Sequence, residues 1–119
     1  MAVDKLLKVK PTWWTLLNGS SITSTEATVN TLSGRKFSDF AAVLICINRG
    51  NIIRVTQEVP LTLFSNANYF CSLNEVDSAN TQRYYEVHYV SDTSVKIKSS
   101  PNAGTAYVYV YGLGDNTTY

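Results

Sequence analysis

Charge is scarce in this chain. Asp, Glu, Lys and Arg make up 16% of its 119 residues and nearly cancel, to a formal +1, where a soluble domain usually carries about 25% charged residues. Such a balance lacks the basic footprint by which proteins neutralise phosphates, which argues against nucleic acid as a partner. The one basic cluster, Lys5, Lys8 and Lys10, is short and offset by Asp4, and reads as a solvated face or an anchoring segment. Long apolar runs are missing too. None approaches the roughly 20 residues a helix needs to cross a bilayer, and Met1-Ala2-Val3-Asp4 lacks the basic and apolar regions of a secretory signal. The chain reads as one made in a cytoplasm, without membrane insertion.

Histidine and cysteine are nearly absent, and with them the chemistry they support. His88 is the only histidine, and Cys46 and Cys71 show no metal-ligand spacing, so no metal or other cofactor is expected. Each cysteine sits among apolar residues and reads as a small buried hydrophobe with a free thiol. A nucleophile needs a base within reach, and His88 lies inside a strand pattern between Val87 and Tyr89. The carboxylate couples Glu75 with Asp77 and Glu58 with Glu86 have glycosidase chemistry, but nothing in the sequence sets either at the required separation. Gly112-Leu113-Gly114 has no helix after it and is not a phosphate cradle. No enzyme is expected.

What is present is strand signal. β-Branched and aromatic residues occur in short runs punctuated by Asn, Gly, Ser and Pro. The clearest is Thr105 to Gly112, where Tyr107, Tyr109 and Tyr111 alternate with Ala106, Val108 and Val110. Side chains alternate across a strand, so the aliphatic set faces a core and the tyrosines face the other way. A tyrosine face suits a boundary with wet edges, such as one between subunits, although it could also cover a loop or line the core of a monomer.

Seven further strands are expected. Trp13 and Trp14, adjacent on a strand, point to opposite sides: one indole enters the core, the other meets a neighbour or serves as a carbohydrate platform. Asn18-Gly19-Ser20-Ser21 reads as a turn, and the threonine-rich stretch from Ile22 to Leu32 as an edge strand. Ala41 to Ile47 reads as a central strand covered on both faces. Asn48-Arg49-Gly50-Asn51 turns it into Ile52 to Val59, with Ile53, Val55 and Val59 on one side. Pro60 ends that ladder. Tyr69 to Leu73 and Arg83 to Val90 read as strands separated by a polar loop from Asn74 to Gln82, and Val95 to Lys98 as a half-exposed strand. Val3 to Val9 fits a short helix or an extended arm.

About eight strands in one domain of this length give an all-β fold, a single antiparallel β-sandwich of jelly-roll-like form. Residues 1–12 are an arm or attachment segment, 13–114 the sandwich and 115–119 a polar tail.

Several segments together carry a likeness. They are Trp14 to Ser21 with its early tryptophan, the aromatic-led Phe40 to Ile47, Val59-Pro60, Ser91 to Ile97, and the final Val108-Tyr109-Val110-Tyr111-Gly112. In this order the chain, from Trp13 to Gly112, resembles the small C-terminal head domains of bacteriophage tail fibres and related receptor-binding or head-fibre proteins. The resemblance implies a homotrimeric virion protein whose loops touch the host surface, a glycan or a protein, without catalysis. The arm would contact other virion proteins, and Trp14, Tyr107, Tyr109 and Tyr111 would meet sister subunits. Tyr69, Asn80, Arg83 and Tyr85 flank the most polar loops and are the candidate ligand contacts. Two alternatives stay open: a capsid or tail decoration protein with no receptor, and a monomeric carbohydrate-binding module.

Overall fold

The alternation in the chain is realised as two four-stranded antiparallel sheets packed face to face. A computed structural model describes residues 13–22 and 26–114. In chain order the elements are β1 (Trp13–Ile22), β2 (Glu26–Asn30), β3 (Ala42–Arg49), β4 (Ile52–Pro60), a one-turn helix α1 (Leu61–Phe64), β5 (Cys71–Val76), β6 (Gln82–Ser91), β7 (Ser94–Ser99) and β8 (Ala106–Leu113). One sheet runs β1-β8-β3-β4 and the other β2-β7-β6-β5. Pairing of β1 with β8 and of β2 with β7 gives the two outer wraps of a jelly roll. Inside them the order departs, because β3–β4 and β5–β6–β7 remain hairpins within one sheet where a full jelly roll would pair β3 with β6 and β4 with β5.

The aliphatic face of β8 enters the core as its pattern requires. Ala106, Val108 and Val110 are fully buried between Leu17 on one neighbour and Val43, Ile45 and Ile47 on the other. Leu73, Tyr85, Val87, Val95 and Ile97 close from the opposite sheet. Each such side chain contributes roughly 1.5–3 kcal/mol by burial, so this double layer is the main source of cohesion. One end is plugged by rings: Phe37 lies 5.1 Å from Phe64 and 6.0 Å from Tyr89, centroid to centroid. Gly112 admits Phe40 there, since a Cβ at Gly112 would stand 2.5 Å from that ring.

The β3–β4 hairpin closes as expected through Gly50 and Asn51, both at positive φ (58° and 64°), the conformation a two-residue turn demands. Four expectations are corrected. Asn18 to Ser21 is not a turn but part of β1, which absorbs extra residues as irregularities between Thr15 and Leu17 and between Leu17 and Ser20. Neither indole is buried: Trp13 is 40% and Trp14 45% exposed, because both lie beyond the end of the core, which β1 joins only at Leu16. Ile53 is 64% exposed, since a register shift after Ile47 places it opposite Asn48, on the outer face. Finally, β5 runs to Val76, so the loop before β6 is much shorter than the polar stretch suggested. Residues 1–12 and 115–119, read as arm and tail, lie outside the described residues.

Candidate functional site

Because β8 is an interior strand, its tyrosines stand in the middle of the outer face of their sheet. Register fixes their neighbours: Tyr107 is opposite Asn48, Tyr109 opposite Cys46, Tyr111 opposite Leu44 and Leu113 opposite Ala42 on β3. On the other flank Thr15 is opposite Tyr111, and Trp13 is opposite Leu113. Tyr107 is 40% exposed, whereas Tyr109 and Tyr111 are half-buried. The latter two rings lie nearly parallel, 6° apart with centroids 6.4 Å distant, within the range of offset aromatic pairs. Burial, helped by Cys46 and Tyr109, pushes the Tyr111 phenol above its usual range.

The ring of Tyr109 leans over β1 at Gly19. A Cβ there would lie 2.9 Å from the Tyr109 hydroxyl oxygen, and Gly19 also adopts φ +70°, so both space and backbone demand glycine. Beside Tyr107 and Tyr109 the hairpin end of β3 contributes Asn48, Gly50 and Asn51, and the five residues line a cleft of ≈ 350 Å³. The Asn48 Oδ1 is buried and accepts no hydrogen bond from the described residues.

What holds that hairpin in place lies on the other side of the sheet. Arg49 turns inward and donates to both carboxylate oxygens of Glu75, from Nε at 2.9 Å and Nη2 at 3.2 Å. The Tyr85 hydroxyl donates to Glu75 Oε1 at 2.7 Å and accepts from Arg49 Nη2 at 2.7 Å. Arg49 Nη1 reaches the carbonyl of Thr105 at 3.3 Å, just before β8 begins. Arg54 and Arg83 each stand 3.8 Å from Glu75. A carboxylate 1% exposed is thus surrounded by three guanidinium groups, and the cluster ties the hairpin, the start of β8 and the opposite sheet together. Burial pushes the Glu75 carboxyl up, but the hydrogen bonds from Arg49 and Tyr85 and the charges of Arg49 and Arg83 outweigh it, leaving it below its ordinary value.

The four residues expected to contact a ligand do not form one surface site, although Arg83 and Tyr85 both reach Glu75. Tyr69 is exposed two residues before β5, on an apolar groove of ≈ 300 Å³ lined also by Gln57, Val59, Leu63, Phe64, Phe70 and Cys71. Asn80 and Arg83 lie towards the far end of β5, Arg83 on β6 directly opposite Glu75. Asn80 occupies a positive φ of 62° in the loop after β5. Arg83 is bound to Asp77 at 3.0 Å and to the Asn102 carbonyl at 3.0 Å. Tyr85 is corrected outright: it is fully buried, and its hydroxyl is engaged by Glu75 and Arg49, so no surface ligand reaches it. Trp14, expected to meet a sister subunit, does not share the sheet face of Tyr107, Tyr109 and Tyr111. Opposite Gly112, it falls on the inward side of the sheet, where the Arg35 guanidinium sits 5.1 Å from its ring centroid. Trp13 is the indole that shares the tyrosine face.

His88 is stacked on Phe70, 4.6 Å between centroids, with Nε2 2.9 Å from Glu86 Oε1. Asp77 accepts from the backbone of Thr81 and from Arg83, which together hold its carboxyl below the usual range. Among the described residues no group of three potential ligands gathers for a metal, and no helix is long and apolar enough to cross a membrane. No protein-family model matches the chain, and no curated protein matches it in sequence.

Proposed function

We propose that this chain is a non-catalytic attachment protein of a bacteriophage virion, a homotrimer that binds a host surface glycan. The observation that carries the reading is the outward tyrosine ladder of β8: aromatic rings stand on the outside of a finished sandwich, where its own core has no use for them. The end of that face bearing Trp13, Leu44 and Tyr111 is the more apolar and is assigned to contact with sister copies, with Tyr109 at its margin. A low surface charge favours such association. The likeness to fibre head domains supplies the setting, and residues 1–12 are assigned to contact with other virion proteins.

Retention of labelled protein on intact bacteria tests the reading. Binding to some strains, abolished by periodate oxidation of the cell surface, is the expected result. A stable trimer retained by no strain would instead favour a decoration protein.

A further inference from the structure

β4 is an edge of one sheet and β5 an edge of the other, and between them lies the apolar groove of ≈ 300 Å³ that Tyr69 borders. Its floor is Val59, Phe64 and Cys71, all members of the core cluster, so the groove opens onto the core itself. Its rim is Leu63, Tyr69 and Phe70, which are 54%, 59% and 51% exposed. No charged side chain lines it. Three large apolar side chains gathered in water above core residues form a patch that calls for a cover.

The groove stands at the end of the molecule from which residues 1–12 depart. Pro60, next to Val59, is opposite Ala42, which is opposite Leu113, and Leu113 is opposite Trp13, the first described residue. Three strand spacings therefore separate Trp13 from Pro60, about 14 Å. The chain from Trp13 back to Leu7 spans up to about 20 Å. That is enough to cross the row and enter the groove without a second copy.

The sequence of the arm suits the chemistry of the groove. Val3, Leu6 and Leu7 recur at helical spacing, while Asp4, Lys5 and Lys8 fall on the opposite side of that pattern. Pro11 separates this stretch from β1. Residues 23–25 and 115–119, the other segments outside the described residues, hold no aliphatic side chain. Of the chain's own segments outside the sandwich, the arm alone can supply aliphatic cover.

We infer that residues 3–9 dock in the groove of their own chain, with Val3, Leu6 and Leu7 laid against Leu63, Tyr69 and Phe70 and with Lys5 and Lys8 turned outward. The inference goes beyond the attachment reading and agrees with it, since the outward lysines are the side of the arm that would meet other virion proteins.

The test places a nitroxide at position 2 of the full chain through Ala2→Cys, labelled briefly because both native thiols are buried. Amide NMR intensities are then read against the same sample with the nitroxide reduced. Signals of Leu63, Tyr69 and Phe70 should be lost, while that of Ile52, about 26 Å from Pro60 along β4, should be retained. Leu6→Ser combined with Leu7→Ser should restore the lost signals. In a second sample, nitroxide-bearing chains without isotope are refolded from urea together with isotope-labelled chains lacking the nitroxide, and no loss at the groove is expected. Full intensity at the groove in the first sample, loss that survives the double substitution, or equal loss in the mixed sample would overturn the inference, the last by giving the groove to the arm of a sister copy.

Discussion

Arg49 and Glu75 join the two sheets from within, the guanidinium on β3 donating to both oxygens of a carboxylate on β5. Two-pronged geometry and the added Tyr85 hydroxyl satisfy a charge that burial alone would make unfavourable. Because Arg49 also sits at the start of the hairpin that borders the cleft, inter-sheet cohesion and the shape of the outer face depend on the same side chain.

Removing one partner should therefore be severe. Glu75→Ala leaves the inward Arg49 without its counter-charge and should cost about 3–5 kcal/mol, the usual penalty for breaking a buried pair. Urea denaturation checks it. A change within about 0.5 kcal/mol, typical of an exposed site, would mean the cluster is solvated.

Stability should fall at both ends of the pH scale, for opposite reasons. Glu75 is held below its ordinary value of 4.5, so its contribution is present above that pH and is lost as pH falls through the lower, folded value. Tyr85 is pushed up to about 12, first by burial and then by its bond to Glu75, from an ordinary 10.0. Its contribution is complete below pH 10 and is lost as pH rises towards 12, on the order of 2–3 kcal/mol. Thermal melts across pH check both limbs, and Tyr85→Phe should flatten the alkaline one.

Two glycines should resist enlargement. Gly112→Ala drives a methyl to 2.5 Å from the Phe40 ring and should cost about 1–3 kcal/mol by overpacking. Gly19→Ala should displace the Tyr109 ring, visible in near-ultraviolet circular dichroism, while leaving the inner core in place.

The two thiols should be silent in the native protein. Cys46 and Cys71 are both buried, and burial raises both above the ordinary thiol range, which depletes the reactive thiolate. A thiol-specific reagent should label neither promptly, then both once the chain is unfolded.

Where neighbours along the chain decide the structure, the sequence was a sufficient guide. Alternation in β8 placed Val108 inside and Tyr107 outside, and Gly50 and Asn51 marked the hairpin. Where a distant partner decides, it was not. Glu75 occupies an inward position of β5 after Cys71 and Leu73, yet a charge there reads as loop until Arg49, far along the chain, is known to neutralise it. The same gap hid the candidate cleft, since Asn48 and Tyr107 meet only through strand register. An inward period of two running through Cys71, Leu73 and Glu75 was the available signal. The bulges of β1 left no local mark, because they exist only relative to β8.

The account rests on sister copies covering the end of the outer face that bears Trp13, Leu44 and Tyr111, and mass in solution addresses that most directly. Light scattering on the wild-type chain and on Tyr111→Asp should give three times the 13.2 kDa of one chain for the first, and a single-chain mass for the second. A wild-type chain that scatters as a 13.2 kDa monomer would contradict it.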